Sequence, residues 1–208
     1  KMIENWSQWN ALIGIPHSLA ISPYDPDRHI WVVDRTGQQI LKLTNDGKKL
    51  VMKVGEQNVA GTDHNHFNEP AGITFMPDGS FYVADGYKNA RIIKFDKDGK
   101  FLLEFGTKGS GPGQFNLVHS VALDAQHRAY TADRVNNRIQ VFNGDTGKFI
   151  EEWPNIGSVT VIRVTDDNNL WISIAAVNQF AKYDLHGKKL MAWGGQGMMP
   201  GQIDNPHQ

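Results

Sequence analysis

Apolar residues in this chain come in short runs separated by polar turns, and nowhere do they recur at the spacing of an amphipathic helix. "IWVVD" (30–34), "FYVAD" (81–85), "AYTAD" (129–133) and "LWISI" (170–174) are each rich in Val, Ile, Ala or aromatic residues. Each is followed by two more such runs, with Asp-Gly, Thr-Gly or His-Gly pairs among the turns. That pattern predicts antiparallel strands joined by tight hairpins.

The runs repeat as whole sentences. "FYVADGYKNARIIKFDKDGKFLLEFG" (81–106) and "AYTADRVNNRIQVFNGDTGKFIEEW" (129–153) are two copies of one unit. "IWVVDRTGQQILKLTNDGKKLVMKVG" (30–55) and "LWISIAAVNQFAKYDLHGKKLMAWG" (170–194) repeat it more loosely. An apolar run precedes each copy: "SLAIS", "AGITF", "SVALD" and "VTVIRV". Four short strands in a repeat of about 40–45 residues are the mark of a β-propeller blade. The blades are expected near 15–55, 68–106, 116–154 and 156–194, with another starting at 203, all within one domain spanning 1–208.

"NARI" (89–92), "NNRI" (136–139) and the "PGQF" linker (112–115) make the repeat resemble the NHL propellers. Blade four departs from that family, with "SIAAVNQF" where Asp and Arg are expected. The resemblance implies an all-β, NHL-type propeller, six-bladed when complete. Four full blades and the start of a fifth are visible, so the expectation is a longer polypeptide, or another chain, that finishes the ring.

Numbering strands a to d from the axis outward, His17 in "IPHSLAI", His119 in "LVHSVAL" and His207 in "NPHQ" open strand a of blades one, three and five. Blade two has Ala71 there, and blade four has "GSVTV" without histidine. Alternate blades of a six-bladed ring stand about 120° apart, so three such imidazoles would converge on one point. Three protein ligands with open positions suit a catalytic Zn²⁺, although imidazole also suits iron or copper. The remaining histidines fall in turns and linkers and read as surface or solvated loop.

Strand b ends at the rim where strand a begins. Residues just after its terminal Asp therefore share a face with the histidines: Arg35, Tyr87 and Arg134. Asp34, Asp85 and Asp133 are expected to accept backbone N–H groups of the b–c turn. The blade-two loop carries one extra residue and Tyr87 is on it, which by spacing alone reads as an aromatic lid on its own loop. An arginine there can grip a carboxylate, and a phenol can move a proton if a nearby cation lowers its pKa from about 10.

Composition narrows the possibilities. The 208 residues carry 21 Lys plus Arg against 22 Asp plus Glu, a net charge of −1 without a basic run. That balance argues against nucleic-acid binding. Apolar runs of strand length argue against a membrane span. The absence of cysteine excludes disulfides and thiolate ligands, which leaves histidine and carboxylate for any transition metal.

A closer resemblance rests on "PHSL" (16–19), "ADGYKNARI" (84–92), "PGQFNLVHSVAL" (112–123), "ADRVNNRIQVF" (132–142) and "NPHQ" (205–208). In order and spacing these resemble the peptidyl-α-hydroxyglycine α-amidating lyases, a branch of the NHL propellers. The resemblance implies zinc on His17, His119 and His207, Tyr87 as catalytic base and Arg134 holding the substrate carboxylate, with Arg35 a further substrate-binding candidate. It implies cleavage of an α-hydroxyglycine-like amide, a small molecule or peptide with a C-terminal carboxylate, to an amide and glyoxylate. An extracellular or periplasmic location goes with it. A structural calcium, using the Leu19 main-chain carbonyl, is implied too, but its second ligand position holds Gln208 rather than aspartate. The alternative is a non-catalytic propeller scaffold that binds a protein or small-molecule partner. A calcium-dependent lactonase would need a rim cluster of carboxylates and Asn, which the sequence does not offer.

Overall fold

The computed structural model describes residues 4–207, and they form four antiparallel four-stranded sheets, each in simple sequential order. Blade one holds β1 (Pro16–Ile21), β2 (Ile30–Asp34), β3 (Gln39–Leu43) and β4 (Leu50–Gly55). Blade two holds β5 (Gly72–Phe75), β6 (Phe81–Asp85), β7 (Arg91–Phe95) and β8 (Phe101–Phe105). A parallel pair, β9 (Thr107–Lys108) and β10 (Gln114–Phe115), ties the linker that follows. Blade three holds β11 (Val118–Leu123), β12 (Arg128–Asp133), β13 (Arg138–Asn143) and β14 (Phe149–Trp153). Blade four holds β15 (Val159–Thr165), β16 (Asn169–Ile174), β17 (Gln179–Asp184) and β18 (Lys189–Gly194). Strands β1, β5, β11 and β15 line a central channel of about 540 Å³.

Strand alternation explains how the blades adhere. In β6, Phe81 and Val83 pack toward blade one with Trp31, Val33 and Ile40. Tyr82 and Ala84, on the opposite side of the same strand, pack toward blade three with Val121, Ala129 and Phe142. Every residue of β6 and β7 is buried, because a central blade has a neighbour on both faces. Trp153 likewise joins blade three to Tyr183 and Leu185 of blade four. On the far face of blade one, Trp9, Leu12 and Ile13 cover Val32, Leu41 and Leu43. Among the described residues, no helix is long and apolar enough to cross a membrane.

The Asp and Arg of each motif clamp the linker into the blade. Asp133, fully buried, accepts the Asn116 N–H at 3.0 Å and the Arg138 Nε–H at 2.8 Å. Arg138 donates onward to the carbonyls of Gly111 and Gln114 and to Glu152. Asp85 and Arg91 do the same for Asn68, Thr62, Asp63 and His66 in the preceding linker. Asp34 accepts the backbone N–H of Gly37 in its own b–c turn and also takes the Gly14 N–H, whereas Asp85 and Asp133 accept side-chain N–H groups of their turns, from Asn89 and Asn136. The expectation that they accept backbone N–H groups of the turn is therefore corrected for Asp85 and Asp133, whose backbone donors are Asn68 and Asn116 of the linkers. Their carboxylates face the incoming linker because the neighbouring arginine, charged and buried, needs a counter-ion there. Blade four, lacking the pair, replaces the b–c turn with a short 3₁₀ helix (Ala175–Val177) and lets the Asn178 side chain take the Asn205 N–H.

Removing one partner of such a buried pair strands the other charge. Arg138→Met is expected to lower unfolding stability by about 3–5 kcal/mol, read from urea denaturation of the full chain.

Candidate metal centre

A β-bulge aims two of the histidines and marks the equivalent place in blade four. At the start of β1, Pro16 faces Asp34 but Ser18 faces Val33, so His17 is the extra residue. In β11, Val118 faces Asp133 and Ser120 faces Ala132, which singles out His119. In β15, Val159 faces Ile174 and Val161 faces Ser173, which singles out Thr160. A bulged residue drops out of the ladder and its side chain turns away from the sheet, here toward the mouth of the channel.

The three imidazoles meet there. Ring centroids are 4.9 Å apart for His17 and His119, 5.1 Å for His17 and His207, and 4.7 Å for His119 and His207. Their ligand nitrogens all lie within 4.8 Å of one another. His17 Nδ1 is 2.7 Å from the carbonyl oxygen of Ala71, and His119 Nδ1 is 2.6 Å from that of Thr160. A carbonyl oxygen can only accept, so each Nδ1 is the protonated nitrogen and each Nε2 keeps its lone pair for the centre. Blades two and four thus contribute carbonyls where their neighbours contribute imidazoles.

All three imidazoles are shifted toward the neutral form. Burial pushes the His119 imidazole down to about 3, with the other two histidines and Arg134 adding to the effect. His17 is lowered chiefly by burial, with smaller contributions from His207, Arg35 and Arg134. His207 is lowered by burial and by the two arginines. Neutral rings with inward lone pairs are what a transition metal requires.

Tyr87 closes over this group. Its hydroxyl is 2.9 Å from His17 Nε2 and 3.0 Å from His119 Nε2. Imidazole nitrogens and a phenol oxygen that converge in this way form a donor set that suits a shared transition-metal cation. Zinc ligation needs nitrogens about 3.5 Å apart, a modest contraction of the present arrangement. Gly86 permits the loop's approach: a Cβ there would lie 1.7 Å from the Val118 carbonyl oxygen. Behind the ring, the Arg35 guanidinium stacks on Tyr87 at 4.0 Å and donates from Nε (2.8 Å) and Nη2 (2.5 Å) to Glu69. Arg134 lies beside the cluster, its Nε donating to Ser158 Oγ at 3.3 Å.

The structure therefore brings together His17, His119, His207, Tyr87, Arg35 and Arg134 as their strand positions predict. It places Arg35 against Glu69 and Tyr87. Leu19 lies in β1 opposite Val32 with its side chain 62% exposed, and Gln208 falls outside the described residues. The other histidines that read as surface divide. His64 stacks on Phe101 and His66 pairs with Asp63 on the blade-two linker, while His29 is tied to Asp25. Sequence reasoning missed Glu69, Thr160 and the Ala71 carbonyl. Alignment of "SVTVI" (158–162) with "LVHSV" (117–121) places Thr160 at the histidine position, but nothing in residue type marks a main-chain acceptor.

A family model for a six-bladed β-propeller matches residues 59–190. The chain is 39% identical over 155 residues to mouse peptidyl-glycine α-amidating monooxygenase, spanning 70% of this chain and 15% of that protein. It is 35% identical over 175 residues to a probable peptidyl-α-hydroxyglycine α-amidating lyase of Caenorhabditis elegans, covering 78% of this chain and 49% of the relative. It is 33% identical over 181 residues to mouse NHL repeat-containing protein 3, covering 82% and 52%. The chain thus spans between 15% and 52% of the length of these relatives. Among solved structures, a catalytically inactive variant of virginiamycin B lyase from Staphylococcus aureus with quinupristin shares the fold. The TM-score is 0.62 at 21% identity, over 91% of this chain and 57% of that one. Four blades, the clamped linkers and these matches agree: the chain belongs to the six-bladed β-propeller family, as an NHL-type member homologous to the peptidyl-α-hydroxyglycine α-amidating lyases and to NHL repeat-containing protein 3.

Proposed function

We propose that His17, His119 and His207 hold zinc and that the chain cleaves the C–N bond of an α-hydroxyglycine-like amide, releasing an amide and glyoxylate. The observation that carries this reading is the Tyr87 hydroxyl within 3.0 Å of two inward-facing imidazole nitrogens. Homology to proteins named as α-amidating lyases supports the substrate class.

Bound there, zinc supplies a Lewis acid that polarises the substrate hydroxyl. With its own phenolic proton first given up to solvent, Tyr87 would act as the tyrosinate and take the hydroxyl proton. The O–H electron pair becomes the new carbonyl of glyoxylate while the C–N pair leaves on nitrogen. Tyr87 then returns the proton to that nitrogen, so no external acid or base is consumed. Arg134, beside the histidines, holds the substrate carboxylate. Arg35 has two of its donors committed to Glu69, and what it presents to the site is a positive charge behind the phenol ring. In this reading the protein works in an extracellular or periplasmic setting, and a longer polypeptide or another chain completes the ring. Homology to NHL repeat-containing protein 3 favours a second reading, a binding scaffold without catalysis, which does not require a metal.

Metal analysis of the purified chain, paired with turnover of α-hydroxyhippurate to benzamide and glyoxylate, decides between the two. Tyr87→Phe is expected to keep the zinc and lose turnover by about 10²–10⁴-fold. Unchanged turnover removes Tyr87 from the base role, and a metal-free, inactive wild type leaves the scaffold. Arg134→Ala is expected to raise KM for carboxylate-bearing substrates about 10–100-fold and to spare an amide-capped analogue. Gly86→Ala forces the loop off the Val118 carbonyl, so kcat is expected to fall while zinc content holds, read from the same two assays.

A further inference from the structure

Blade four has no histidine at its bulge, yet the residue in that place is fully buried and touches two of the three histidine-bearing segments. Thr160 offers its main-chain carbonyl to His119 Nδ1 at 2.6 Å. Its side chain does something separate. Thr160 Oγ1 lies 2.9 Å from the carbonyl oxygen of Pro206, the residue immediately before His207. It is also 2.6 Å from Ser173 Oγ and 3.4 Å from the Ser173 carbonyl oxygen.

The direction of these bonds follows from what each atom can do. The Pro206 carbonyl can only accept, so the nearer of the two carbonyl contacts takes the Thr160 hydroxyl proton. Ser173 Oγ must then donate to Thr160 Oγ1. Ser173 in turn accepts the Val161 N–H at 3.1 Å. The relay runs from Val161 N–H through Ser173 and Thr160 to Pro206, with each hydroxyl donating once and accepting once. Ser173, only 2% exposed, stands opposite Val161 in the ladder beside the bulge, so the relay is built into the sheet.

Its end point matters because a peptide unit is planar. Fixing the Pro206 carbonyl fixes the plane that carries the His207 nitrogen, and the Pro206 ring already fixes its own φ. The segment has a second anchor in the bond from the Asn205 N–H to Asn178 Oδ1 at 2.6 Å. Ala71, the blade-two counterpart, holds His17 by its carbonyl and has no hydroxyl with which to reach another segment.

We infer that Thr160, supported by Ser173, is a positioning residue that registers the His207 segment against His119 through its hydroxyl, and so sets the metal affinity of the three-histidine centre. The inference rests on the zinc reading above. Because the side chain acts on His207 and the main chain on His119, the two functions can be separated by substitution.

The test is zinc affinity of the full chain, measured by competition with a chromophoric chelator. Thr160→Val keeps the shape and the carbonyl but deletes the hydroxyl, and is expected to weaken zinc binding about 10–100-fold. Thr160→Ser is expected to restore it, and Ser173→Ala to weaken it to a lesser degree. In a His207→Ala background, Thr160→Val is expected to change affinity by less than about twofold, because the ligand it positions is gone. The same loss in both backgrounds would mean a general structural defect and overturns the inference. So does a Thr160→Val chain that binds zinc as the wild type does, and that result leaves the zinc reading intact. A wild-type chain that takes up no zinc overturns both together.

Discussion

One hydrogen bond, used twice, organises the centre of this molecule: an imidazole Nδ1–H given to the main-chain carbonyl of the next blade's inner strand. His17 gives it to Ala71 and His119 gives it to Thr160. The bond fixes ring orientation and tautomer together, and so decides that Nε2 faces the axis. It also explains the alternation of residue types around the ring. A blade that supplies a ligand needs a neighbour that supplies an acceptor, and an acceptor requires no particular side chain. Blades two and four can therefore carry Ala71 and Thr160 at the position where their neighbours carry histidine.

That arrangement holds only if the blades keep their angular spacing and the linkers keep their course. Apolar side chains on both faces of the central strands supply the first condition, most completely in β6 and β7. The buried Asp–Arg pairs supply the second, since each arginine grips carbonyls of the linker that delivers the chain to the inner strand. A buried ion pair adds little stability in itself, but it fixes one course for the chain because any other leaves a charge unpaired. The bulge that turns His119 inward begins a few residues after such a linker.

Tyr87 is held from three sides. Gly86 lets its loop lie against the Val118 carbonyl, the two imidazoles meet its hydroxyl, and the Arg35–Glu69 pair backs its ring. Glu69 adopts a left-handed backbone (φ 58°), and its N–H is bonded to Gln38 Oε1, so the carboxylate that commits Arg35 is itself held. Arginine and tyrosine come from different blades, so the phenol's position reports the relation between blade one and blade two.

The sequence alone determined the repeat, the four strands per blade, the three histidines at one repeat position and the rim residues after each terminal Asp. Those features are legible because they are local: a period of two along a strand, a turn pair between strands, one residue type recurring at one place. Only the tertiary structure decided what each rim residue does. Arg35 and Arg134 stand at the same position in their blades, yet one is committed to Glu69 and Tyr87 while the other stands beside the histidines with a single bond to Ser158. Ala71 and Thr160 serve through carbonyls, a group every residue carries, so nothing in their letters marks them. Partners of that kind are set by which blade lies next in space and by the bulge that turns the side chain. Those are properties of the packing of one sheet against the next, and no single repeat contains them.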